Sequence, residues 1–184
     1  MIFFTSDTHF GHSKVIEYCN RPFATAEEMD DELIKRWNEV VSPGDTVYHL
    51  GDFSFCGMER SREILNQLKG TKILIKGNHD RHFFRKDGSL KDLAFSEVML
   101  NSEMQSYYFT AMMSHYPYLG ETSDGRDFSA AQLKDEGKWL LHGHVHCEWK
   151  VRKRMINVGV DQWDFRPVSF DKIHEIIKGG TNDS

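Results

Sequence analysis

The run Ile73-Leu74-Ile75-Lys76 has strand character and stops at Gly77, and the next three side chains are the amide of Asn78, the imidazole of His79 and the carboxylate of Asp80. All three can ligate a metal or handle a proton. The pattern recurs along the chain. Residues 2–6 run into Asp7-Thr8-His9, residues 46–50 into Gly51-Asp52, residues 139–141 into His142-Gly143-His144-Val145-His146, and, less sharply, residues 111–114 into His115. A strand that ends in a polar turn presents its chemistry at a sheet edge, so these ends predict an α/β fold in which several strands converge on one site.

The segments between them fit that plan. Residues 1–6 read as a buried strand, since Ile2, Phe3 and Phe4 are costly to leave in water. Thr25-Ala26-Glu27-Glu28 matches a capping box and opens a helix with the apolar stripe Met29, Leu33, Trp37 and Val40, closed by Pro43-Gly44-Asp45. Its acidic run, Glu27, Glu28, Asp30, Asp31 and Glu32, reads as a solvated face. A strand over 46–50 and a helix over 58–68 complete a βαβ rhythm, which predicts parallel strands and places Asp7, Asp52 and Asn78 at one edge. Further on we expect strands over 104–110 and 111–114, a polar loop over 120–127 and a short helix over 129–135. A strand over 138–141 follows, then strand segments 149–152 and 155–160 around the basic Arg152-Lys153-Arg154, and within 167–177 either a last strand or a short strand and helix. One domain spans 1–178, with a flexible tail over 179–184.

Composition narrows the chemistry. Ten histidines against three cysteines, Cys19, Cys56 and Cys147, which lack a paired short spacing, favour nitrogen and oxygen ligands over sulfur. A formal charge of -5 argues against general affinity for nucleic acid. The N-terminus lacks a basic start, and no apolar run approaches the roughly 18 residues of a membrane span, so no membrane partner and a cytoplasmic setting are expected.

Asp7, His9, Asp52, Asn78, His115, His144 and His146 are too many ligands for one tetrahedral ion and suit two five- or six-coordinate ions that share a carboxylate, for which Asp52 is the natural bridge. In this order the blocks Asp7-Thr8-His9, Gly51-Asp52, Gly77-Asn78-His79-Asp80, His115 and Gly143-His144-Val145-His146 resemble those of the calcineurin-like metallophosphoesterase superfamily, in particular its compact bacterial, archaeal and phage members. The resemblance implies a four-layer α/β/β/α sandwich of two mixed sheets. It implies one metal held by Asp7, His9, Asp52 and His146 and another by Asp52, Asn78, His115 and His144, with manganese first among candidates that include iron, zinc, nickel and cobalt. It further implies His79 over the phosphoryl group, with Asp80 orienting it, and a homodimer as an admissible state.

The expected activity is hydrolysis of a phosphodiester in a small or nucleotide-like substrate by a hydroxide bridging the two ions. The alternatives are a phosphomonoesterase or a nucleotide pyrophosphohydrolase. A nuclease, which would use Lys150, Arg152, Lys153 and Arg154 as its track, and a non-catalytic scaffold rank lower. On the substrate side stand Arg81, His12 and Asn78, with Arg126 and Arg152 as weaker phosphate contacts. His12 and His142 divide between packing and lining the pocket, while His49 and His82 read as packed or surface histidines. Asn157-Val158-Gly159 reads as a structural turn, and Asp161 and Asp164 as turn or surface groups. Phe10, Phe53, Tyr116, Tyr118 and Trp163 lie close in sequence to the ligands as core residues or base-stacking rings.

Overall fold

The pleat of the first strand divides its side chains between two cores. The computed structural model describes residues 1–91, 94–120 and 128–180, and in it β1 (Ile2–Thr5) sends Phe3 to one apolar cluster and Phe4 to another. β2 (Thr46–His49) does the same with Val47 and Tyr48, and β3 (Thr71–Ile75) with Leu74 and Ile75. Successive side chains point to opposite faces of a strand, so a sheet whose runs are apolar throughout must be covered on both sides.

On the outer side lie α1 (Ser13–Tyr18), α2 (Ala26–Val40) and α3 (Met58–Gln67), which supply Val15, Met29, Leu33, Trp37, Ile64 and Leu65. α2 starts as its capping box predicts, Thr25 accepting from the Glu28 N–H at 3.2 Å while Glu28 accepts from the Ala24 N–H at 2.7 Å. On the inner side a second sheet packs on the first. It is built from β5 (Asn101–Gln105), β6 (Thr110–Ser114), β7 (Trp139–His142), β8 (Val151–Arg152) and β9 (Met155–Asn157). Ala111, Met113, Leu141 and Ile156 meet Phe4, Leu50 and Ile75 between the sheets, joined by Ile173 and Ile177 of α4 (Phe170–Gly180). The second sheet's other face is covered by Tyr118, Leu133 and Trp149.

The first sheet runs β10-β1-β2-β3-β4, where β4 is Glu97–Met99 and β10 is Val168–Ser169, with β1 to β4 parallel. The second runs β5-β6-β7-β9-β8, parallel through β6, β7 and β9 and antiparallel at both edges. These are two mixed sheets flanked by helices, and the parallel strands bring the ends of β1, β2, β3, β6 and β7 to one rim.

Several local expectations are corrected. The strand expected over 104–110 is interrupted, because Ser106 Oγ accepts from the Tyr108 and Phe109 N–H groups and closes a turn between β5 and β6. Residues 129–132 form turns and bends rather than a helix. Asp30 is not part of a solvated face: it is buried, accepts from the Gly11 N–H at 2.8 Å, and burial raises its carboxyl to about 6. α1 and β4 carry too few residues for a period to show. Gly179 and Gly180, expected in the tail, end α4, and 181–184 lie outside the described residues, as do 121–127 with Arg126. No helix among the described residues is long and apolar enough to cross a membrane.

Phe4 is fully buried between the sheets. Phe4→Ala is expected to lower unfolding stability by about 3–5 kcal/mol in urea titration.

Candidate metal centre

The site is assembled by exchange between turns. Asp7 N–H donates to the Gly51 carbonyl at 3.0 Å and His9 N–H to the Asp52 carbonyl at 3.1 Å, locking the end of β1 against the end of β2. Gly143 N–H donates to the His115 carbonyl at 3.0 Å, doing the same for β7 and β6. The carboxylates then reach across. Asp52 Oδ1 accepts from the His79 N–H at 2.9 Å and Asp7 Oδ2 from the His144 N–H at 3.0 Å. In each case the other oxygen is left for the centre.

Those free oxygens face imidazole nitrogens. Asp52 Oδ2 lies 3.7 Å from His9 Nε2, 3.5 Å from His115 Nε2 and 4.0 Å from His79 Nε2, and Asp7 Oδ1 lies 3.9 Å from His9 Nε2. His115 Nδ1 points at the Leu50 carbonyl 2.8 Å away, so that nitrogen carries the proton, and Nε2 faces both Asp52 and Asn78 Oδ1, the latter at 3.0 Å. Groups converging in this way would be satisfied by a cation between them. Asp7 Oδ1 and both ring nitrogens of His9 are buried without hydrogen-bond partners, which a natively folded protein avoids unless an ion or other ligand completes the site.

The donor atoms of Asp7, His9 and His146 cluster within 4.8 Å of one another, as do those of Asp7, Asp52 and His115. The two sets share Asp7, Asp52 belongs to the second, and their nitrogen and oxygen donors fit divalent ions. The electrostatics agree: burial, with Asp7 and Asp80 nearby, raises Asp52 to about 7 against the opposing pull of His115. His146 is pushed up to about 11, burial being outweighed by Asp7, Asp161 and Cys19 around it. The His146 shift marks negative charge gathered around it, and the Asp52 shift marks first its burial.

Close approach explains the glycines in the motifs. A Cβ on Gly77 would stand 2.2 Å from Asp52 Oδ1, and one on Gly143 would stand 2.3 Å from Asp7 Oδ2 and 2.0 Å from Ser6 Oγ. Any side chain there would occupy the place of a ligand carboxylate.

Other expected residues fall in different places. Asp80 is fully buried, but its oxygens accept from the Asp52 and Gly77 N–H groups at 2.9 and 2.8 Å and from the Phe53 N–H at 2.9 Å. Its carboxylate therefore clamps the backbone of two ligand turns, whereas the resemblance implied that it would orient the His79 ring. His12 lines a cavity of about 360 Å3 together with His9, Val15, Tyr18, Cys19, Phe55, His79 and His146. Arg81 is exposed on the 3-10 turn Asp80–Phe83 and is not in that lining. His142 and His49 belong to the interior, bonded to the Gly143 carbonyl and Thr8 Oγ1, and burial lowers each to about 3. Phe10, Phe53, Tyr116 and Tyr118 are buried in the packing.

Arg21 escaped the sequence reading, since nothing around it separates it from a surface arginine. It is buried, forks onto Asp161 through Nε and Nη2 at 2.8 and 2.9 Å, and donates to the Asp7 and Thr8 carbonyls at 2.8 and 3.1 Å. Asp161 Oδ2 in turn stands 3.6 Å from His146 Nδ1, so Asp161 is no surface group. Asn157 Nδ2 donates to the His146 carbonyl at 2.8 Å, which gives the Asn157-Val158-Gly159 turn its place beside the site.

Residues 1–165 match the model of the calcineurin-like phosphoesterase superfamily domain. An uncharacterized protein of Methanocaldococcus jannaschii is 36% identical over 97% of this chain and 92% of its own length. The gene 66 proteins of Mycobacterium phages L5 and D29 are 32% and 34% identical, over 95% and 96% of this chain and 92% and 95% of theirs. The crystal structure of a protein of unknown function from Aquifex aeolicus superposes with a TM-score of 0.74 at 28% identity, covering 96% of this chain and 98% of that one.

A carboxylate behind a ligand imidazole fixes its orientation. Asp161→Asn is expected to weaken divalent metal binding about 10- to 100-fold in calorimetric titration of the stripped protein; unchanged affinity would remove Asp161 from the site.

Proposed function

The chain belongs to the calcineurin-like phosphoesterase superfamily, and on that premise we propose that it hydrolyses phosphodiester bonds in a small or nucleotide-like substrate. Asp7, His9, Asp52 and His146 would hold one divalent ion, and Asp52, Asn78, His115 and His144 a second, with manganese the first metal to try. When bound, such ions neutralise phosphoryl oxygens and lower the pKa of an attacking water. The observation that carries this reading is the convergence of His9, His115 and His79 on one oxygen of Asp52.

The three histidines divide by exposure. The His9 and His115 side chains are 3% and 0% exposed and face the centre, as ligands would, while His79 is 35% exposed and lies in the cavity wall. Its backbone is fixed by Asp52, so the ring stands over the reacting group without needing to bind an ion. That position suits delivery of a proton to the departing oxygen. Asn78 serves both the second ion and the substrate side, and His12 lines the cavity that receives the ester group. Arg81 would reach phosphate from the rim.

The test begins with protein stripped of metal by chelation and reloaded stepwise with Mn2+. Turnover of bis-p-nitrophenyl phosphate is expected to appear near full occupancy and to exceed that of p-nitrophenyl phosphate. Equal turnover after thorough chelation would reject the metal-dependent reading, and a preference for the monoester would reject the diester assignment. His79→Ala is expected to keep its metal content and lose about 10^2- to 10^4-fold in kcat. Asn78→Ala is expected to lose the second equivalent of metal by elemental analysis.

A further inference from the structure

Phe55 is 41% exposed and Tyr18 is 70% exposed, and both line the cavity that also contains His79. Phe55 stacks on His12 with centroids 3.9 Å apart and planes at 13°, and its ring lies 4.7 Å from His79 and 5.3 Å from His9. α1 contributes Val15 and Tyr18 to the same lining, and Cys19, the residue that ends that helix, completes it. Among the described residues no lysine or arginine lines this space. Phe55, Tyr18 and Val15 form an aromatic and apolar part of the wall, which suits a flat ring, while His9, His79 and His146 form the part that faces the candidate metal centre. The volume of about 360 Å3 is near the lower end of the range for small-molecule sites.

We propose that the space between α1 and Phe55 is a seat for the nucleobase of the group that departs from phosphorus, with Phe55 and Tyr18 as its specificity-determining rings. The proposal rests on the reading of His79 as the acid for that departing group, because the same imidazole forms part of the wall. It commits the substrate class to phosphodiesters whose leaving alcohol is a nucleoside. None of the aromatic residues singled out from the sequence is in this lining: the two rings come from the end of α1 and the loop after Asp52, 37 positions apart in the chain.

The probes are adenosine 5′-monophosphate and ribose 5-phosphate, which share sugar and phosphate and differ only in the base. Calorimetry on the Mn2+-loaded protein is expected to give the base-bearing ligand at least tenfold tighter binding, in line with stacking on an aromatic side chain. Phe55→Leu and, separately, Tyr18→Ala should erode that ratio; Tyr18 is exposed, so its variant tests the seat even where the Phe55 variant folds poorly. Equal affinity of the wild-type protein for the two ligands, or a ratio unmoved in both variants, would overturn the seat. Turnover of bis-p-nitrophenyl phosphate by the wild-type protein, measured in parallel, separates the outcomes: its presence with equal ligand affinities rejects the seat alone, and its absence after Mn2+ loading rejects the phosphoesterase reading.

Discussion

Each central carboxylate is divided between a backbone amide and the site. Asp52 gives one oxygen to the His79 N–H and Asp7 gives one to the His144 N–H, so each is anchored to a turn that carries another candidate ligand. The remaining oxygens cannot turn away from the centre without breaking those bonds. Like-charged groups are thereby held together in a buried place, and a divalent cation is what relieves them.

The backbone around them is correspondingly unusual. Asp7, His9, Asp52, His144 and His146 all have positive φ, between 43° and 71°. Left-handed conformations of non-glycine residues cost roughly 1–3 kcal/mol each when sparsely favoured, and persist only where surrounding structure over-determines them. Here the over-determination is visible. The Asp80 carboxylate gathers three amides from two turns, the Arg21 guanidinium takes the Asp7 and Thr8 carbonyls, and Asn157 takes the carbonyl of His146. The two packed sheets supply the rigid frame on which these small bonds act. A turn that carries its ligand in a left-handed conformation redirects the side chain sharply from the strand axis, which is how strands from two sheets point at one volume.

Buried charge outside the ligand set follows the same logic. Arg21 and Asp161 neutralise each other through a two-bond fork, the geometry in which a buried ion pair is well satisfied. Asp30 reaches from α2 to Gly11 and so fixes the turn that leads from His9 to His12. Helices that pack on the outer face thus reach through to the site by single polar side chains, while their apolar stripes hold the sheet.

The two mixed sheets followed from the family resemblance, whereas the sequence by itself determined the parallel first half and the turns whose polar residues gather at the rim. These are legible because strand runs, capping boxes and glycine-bounded polar turns are local patterns, and each block of the site lies within a few adjacent residues. Only the tertiary structure decided what supports them. Arg21 and Asp30 look like ordinary charged residues along the chain, and Asp80, though it stands in the Gly77-Asn78-His79-Asp80 block, gives no sign there of its backbone clamp; these roles exist only through partners 140, 19 and 28 positions away. The same holds for the cavity wall, since Phe55 and Tyr18 meet across a gap that no spacing encodes. A charge or an aromatic ring acquires its function from what burial places beside it, and burial is a property of the folded chain as a whole.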